Sequence, residues 1–198
     1  IEKWKQSSAY VVGRSHLSLN EVCQDRTYYA SGEGVHVISL ADGAGSKKKS
    51  QIGAEIVTKT ICDFLIQEFD YIYMGLEKRG KEEKNYLENI KLLKKMIINL
   101  LLDKLRAYAD AQLNELSSTL LFFALKNNKY IHGHIGDGVI GGLFEENDSF
   151  YLQTLSEPHN AEAANITFFV TDSDAHENLR IACGEVENLR GVILMSDG

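Results

Sequence analysis

The stretch Val35-His36-Val37-Ile38-Ser39-Leu40-Ala41-Asp42-Gly43-Ala44-Gly45 decides the fold. Its first seven residues are almost continuously apolar, the pattern of a strand buried on both faces. The run stops at Asp-Gly-Ala-Gly, a flexible turn. A carboxylate at the end of a buried strand, followed by glycine, stands where backbone carbonyls can also approach a ligand.

Upstream, 9–13 is short and apolar and 27–30 is aromatic and β-favouring, so both read as strands. Downstream, a helix starts near Ser46 or Ser50, either a suitable N-cap. It carries Ile52, Ile56, Val57, Ile61, Phe64 and Leu65 on one face. After a charged turn at 75–84, Leu87, Ile90, Leu93, Ile97, Leu101, Leu105 and Tyr108 recur at three- and four-residue steps. This is the stripe of a long amphipathic helix, predicted to turn Leu93, Ile97, Leu101 and Leu105 to a sheet and Lys91, Lys94, Lys95 and Lys104 outward. Strands follow at 118–125, 129–135, 139–144 and 149–155, with a hairpin turn at Asn127-Asn128. Further strands are expected at 165–171 and 191–195. Strands, two helices, then hairpins is an α+β order, not the alternation of a doubly wound sheet.

The 198 residues suit one domain, 1–198. A hydrophobic fraction of 44% supports a substantial core, and a single proline excludes a proline-rich linker. The net charge of -7 argues against a nucleic-acid partner, because phosphate backbones are held by clustered Lys and Arg. Cys23, Cys62 and Cys183 are scattered and form no CxxC pair, which reads as reduced thiols in a cytoplasmic protein. The longest apolar run, near 120–125, is too short to span a bilayer. The first residues carry no signal-peptide pattern.

Three segments share one chemical logic. Asp25 lies in Cys-Gln-Asp-Arg just before a strand, Asp42 ends the strand quoted above, and Asp197 follows an apolar run in Ser-Asp-Gly. Hard cations such as Mg²⁺ and Mn²⁺ take oxygen ligands of this kind and keep several waters. Converging carboxylates repel unless a cation neutralises them. A single Asp-Gly is more simply a turn; two that terminate buried strands favour metal binding. Asp137, in His134-Ile135-Gly136-Asp137-Gly138, reads instead as a tight hairpin turn.

In order, Gln24-Asp25, Asp42-Gly43-Ala44-Gly45, the helix pair, Ser118-Thr119, Gly136-Asp137-Gly138 and Ser196-Asp197-Gly198 resemble the type 2C metal-dependent protein phosphatases. Gly13 to His16, Cys23 to Asp25 and Ala41 to Ser46 look most like its bacterial branch. The resemblance implies a four-layer α-β-β-α sandwich: two antiparallel sheets flanked by helices, with a two-metal centre of Mn²⁺ or Mg²⁺ at one edge. It implies that Asp42 bridges both metals, with the Gly43 carbonyl on one of them directly or through water. Asp197 would ligate the first metal and Asp25 would hold metal-bound waters. A hydroxide between the metals would attack the phosphorus of a phosphoserine or phosphothreonine in a protein substrate. The cations would also offset the acidic net charge.

Several positions depart from that pattern. Ala44 stands where many members have a histidine as candidate general acid. His16 stands where many have a phosphate-gripping arginine, with Arg14 two residues earlier. Gln24 replaces the common glutamate. A further acidic metal-ligand segment is expected after Gly198. Arg14 is the candidate substrate clamp, because guanidinium stays charged at any working pH. His16 is the candidate proton donor, weighed evenly against a surface-loop histidine. Lys47, Lys48 and Lys49 read as a solvated helix start, and 43–50 lacks the glycine spacing of a P-loop. The alternative to an enzyme is a pseudophosphatase serving as a binding or regulatory module; a metal-sensing domain is a weaker third reading.

Overall fold

The computed structural model describes residues 4–9, 11, 22–78, 80, 82–108, 110–158 and 167–197. Two antiparallel sheets pack face to face, and the long helices lie over the outer face of the larger one. The α+β class with paired antiparallel sheets is therefore the observed one.

The larger sheet begins as a meander. β1 (Arg26–Gly32) pairs with β2 (Val35–Ala41), β2 with β3 (Leu120–Lys126), and β3 with β4 (Lys129–Ile135). The edge is completed by β7 (Arg180–Glu185) against β4. The smaller sheet sets β5 (Val139–Glu146) between β6 (Ser149–Ser156) and β8 (Leu189–Met195). Three of the hairpins turn on left-handed residues: Glu33 and Gly34 (φ 52° and 76°), Asn127 (φ 55°), and Asn147 and Asp148 (φ 50° and 60°). Paired positive φ values match the right-handed twist of the flanking strands. Each turn fixes a register that sends alternate side chains to opposite faces.

Helix α1 (Ser50–Leu76) lies across β1, β2 and β3. It buries Gly53, Ala54, Val57, Ile61, Leu65, Phe69 and Ile72. The helix starts at Ser50 with Lys49 in the cap position, and no side chain caps it. Neither proposed serine is the N-cap; Ser50 Oγ instead donates to Lys47 O at 3.0 Å. Helix α2 (Glu83–Arg106) buries Leu93, Ile97, Leu101 and Leu105 as the periodicity requires. Its partner differs from the expectation. It packs chiefly on α1 and on the short α3 (Ala175–Asn178), not directly on a sheet. A sheet face already covered by a 27-residue helix leaves a second helix to complete the same layer.

The main core joins the helices to β2, β3 and β4, including Val35, Val37, Phe122, Ala124, Ile131 and Ile135. Between the sheets, Leu40, Leu121 and Ile140 form one cluster and Phe123, Leu125 and Leu189 another. Residues such as Phe123 and Leu125 alternate with Phe122 and Ala124, so β3 is apolar on both faces and fills both interfaces. The expected strand at 118–125 starts two residues later, with Ser118 making a lone bridge to Gly43. The expected strand at 165–171 is not one over 167–171, where Thr167 forms only a bridge. Ala9 and Val11 are not in a strand. Among the described residues no helix is long and apolar enough to cross a membrane.

Candidate active site

Four aspartates stand at strand ends along one edge of the sandwich. The pairing of Arg26 with Ala41 places Asp25, just before β1, beside Asp42, just after β2. The pairing of Val139 with Met195 brings the turn before β5, which holds Asp137, near the end of β8 and Asp197. Antiparallel neighbours with matched ends convert residues far apart in sequence into one cluster.

Asp42 is held from behind by the strand beside it. Its N–H donates to Thr119 Oγ1 at 2.9 Å, and its carbonyl accepts from Thr119 N at 2.8 Å. The Ala44 N–H donates to Ser117 O at 3.0 Å. Gly43 has no room for a side chain: a Cβ there would lie 2.8 Å from Ser50 Oγ and 2.9 Å from Ser50 backbone carbon. The Asp42–Ala44 backbone is thus fixed between β3 and the first turn of α1.

The electrostatics are those of like charges crowded together. The Asp42 carboxyl is pushed from 3.8 up to about 8, first by burial, then by the charge of Asp25 and a hydrogen bond with its carboxyl. The charges of Asp197 and Asp137 push it further. Each of these effects favours the protonated form. The nearby Arg26 does not relieve it, since its Nη1 donates to the Cys23 and Asp25 carbonyls, both at 2.7 Å.

Asp137 was expected in a hairpin turn, but it lies in the connection from β4 in the larger sheet to β5 in the smaller, two strands that do not pair with each other. Its negative charge is felt at Asp42, and its carboxylate accepts a hydrogen bond from Thr167 Oγ1. Gly136 before it has φ 117°, and a Cβ there would lie 2.5 Å from Thr119 Cγ2. The conformation that sends Asp137 to the cluster is one that only glycine adopts without strain. The Gly-Asp-Gly spelling carries no sign of this, because the β5–β8 pairing supplies the neighbour.

The donor set suits a hard divalent cation: carboxylate oxygens of like charge crowd together, with the Cys23 thiol donating to Asp25 Oδ2 at 3.9 Å beside them. Among the described residues no three acidic, His or Cys side chains gather closely enough to hold one ion by themselves. A cation here would complete its shell with water, as Mg²⁺ does. Ala44 is buried and carries no proton donor. Arg14, His16 and Gly198 lie outside the described residues.

Residues 12–198 match the model of the protein phosphatase 2C family, and the chain belongs to that family. It is 27% identical over 187 residues to serine/threonine-protein phosphatase 3 of Escherichia coli strain K12. That alignment covers 89% of this chain and 66% of the relative, so the chain spans just under two thirds of the relative's length. The fold is shared with the crystal structure of the serine/threonine phosphatase Stp1 from Staphylococcus aureus. There the TM-score is 0.55 at 14% identity, covering 89% of this chain and 71% of that one. It is shared also with serine-threonine phosphatase 2C from Toxoplasma gondii, with TM-score 0.54, 14% identity, and 87% and 72% coverage.

Proposed function

We propose that this chain hydrolyses phosphoserine and phosphothreonine in proteins, using two Mn²⁺ or Mg²⁺ ions held at the aspartate edge. The observation that carries the reading is the convergence of Asp25, Asp137 and Asp197 on Asp42, whose carboxyl is raised to about 8 by burial and by those neighbours. A fold does not accumulate unneutralised carboxylates at a strand edge for stability, so a cation is the natural partner.

In this reading Asp42, the Gly43 carbonyl and Asp197 hold the ions, Asp25 orients water, and Asp137 adds a carboxylate that the motif reading left out. The bound cations supply an acidified water and neutralise charge on the phosphoryl group. Thr119 keeps Asp42 aimed through its two backbone bonds. Arg14 grips the substrate phosphate, and His16 donates a proton to the departing serine or threonine oxygen.

A second reading has a specific observation behind it. Ala44 cannot protonate a leaving group, which fits a pseudophosphatase that binds phosphoprotein without turnover. One experiment separates the two: release of phosphate from a phosphoserine peptide by the full chain, with Mn²⁺ and with EDTA. Mn²⁺-dependent release supports the enzyme. Peptide binding without release supports the binding module. Release that persists undiminished in EDTA contradicts the metal centre.

A further inference from the structure

Gln24 has a part that none of the carboxylate chemistry uses. Its Nε2 lies 2.8 Å from Ser50 Oγ, 3.2 Å from Lys47 O and 3.5 Å from Ala44 O. All three are acceptors toward it: two are carbonyls, and the hydroxyl spends its own proton on Lys47 O. The amide therefore ties the arm that leads into β1 to the loop that leads from Asp42 into α1. The next residue along that arm is Asp25, whose carboxyl meets Asp42.

We propose that Gln24 is a positioning residue, whose side-chain N–H groups set the Asp25 carboxyl against Asp42 by clamping the arm to loop 44–50. The inference rests on the reading of the aspartate edge as a cation centre. A methionine of similar length has no N–H to donate to the Lys47 and Ala44 carbonyls or to Ser50 Oγ. From the other side Arg26 braces the same arm through the Cys23 and Asp25 carbonyls. Without the clamp, two like-charged carboxylates are free to separate, and a cation must then draw them together at a cost to its affinity.

The test uses the full chain and Mn²⁺, with calorimetry as the readout. Gln24→Met keeps the length and removes the donors. It is expected to weaken Mn²⁺ binding about 10- to 100-fold, the usual effect of losing a group that orients a ligand. On an Asp25→Asn background, Gln24→Met should add nothing further, because its target is already gone. Ser50→Ala removes the acceptor from the opposite side and should be similarly non-additive with Gln24→Met. It also serves as the test if Gln24→Met fails to fold. Wild-type Mn²⁺ affinity in a folded Gln24→Met, or full additivity with Asp25→Asn, overturns the inference alone. Wild-type protein that takes up no Mn²⁺ overturns the cation centre, and the inference with it.

Discussion

Replacing Asp42 by asparagine should make the metal-free protein more stable while destroying its response to Mn²⁺. The folded state holds the Asp42 carboxyl at about 8 against 3.8 in the free residue. An acid whose folded pKa is raised binds its proton more tightly when folded. Its burden is therefore absent below about pH 4, grows as pH rises toward 8, and is constant above that. Between 3.8 and pH 7, at about 1.4 kcal/mol per pH unit, the span is worth ~4 kcal/mol. The carboxyl is only partly buried, so solvent screening reduces this to about 1–3 kcal/mol. Asparagine has nearly the same shape and no charge, and the backbone bonds to Thr119 do not involve the side chain. Thermal melts of wild type and Asp42→Asn in EDTA between pH 5 and 8 should diverge as pH rises, with the variant higher. Saturating Mn²⁺ should raise the wild-type melt and leave the variant where it was. A pH-independent gap, or a variant less stable than wild type throughout, would refute the argument that these carboxylates repel. A variant that binds Mn²⁺ as well as wild type by calorimetry would remove Asp42 from the metal centre.

Three further outcomes are expected. Leu101 is fully buried, so Leu101→Ala should cost about 2–5 kcal/mol in urea unfolding, and a cost near zero would contradict the packing of α2 on α1. Gly53→Ala gains about 1 kcal/mol in helix propensity, but its Cβ would lie 1.9 Å from the Leu116 carbonyl oxygen. The clash should prevail, and a stabilised variant would contradict the close approach to α1 of the 3₁₀ turn Leu113–Leu116. For His16, the substrates discriminate: p-nitrophenyl phosphate has a leaving group that needs little protonation, whereas a phosphoserine peptide needs it. His16→Ala should slow the peptide by about 10²–10⁴-fold and the aryl phosphate far less, and equal loss on both would indicate phosphate binding instead.

What could be read from the chain was whatever its local pattern encodes. The apolar run of Val35–Ala41 specifies a strand buried on two faces, and the terminating Asp-Gly follows from its end. The Asn127 turn and the buried stripe of Leu93, Ile97, Leu101 and Leu105 follow from turn chemistry and helical period in the same way. Periodicity names a face without naming its partner, which is why α2 was expected on a sheet and is found on α1. Asp137 and Gln24 show the larger gap. Asp137 spells a hairpin turn, and only the pairing of β5 with β8 puts it before Asp42. Gln24 looks like one lost charge in a motif, and only the return of loop 44–50 gives its amide three acceptors. The sequence alone marked β2, the β3–β4 and β5–β6 hairpins, the two long helices and three of the four aspartates as candidates, because short-range pattern is written in short-range order. It missed β7 and α3 and placed a strand over 165–171 where 167–171 form none. Tertiary structure alone decided which carboxylates share a field and what holds them there, because Coulomb and hydrogen-bond energies depend on distance in space and not on separation along the chain.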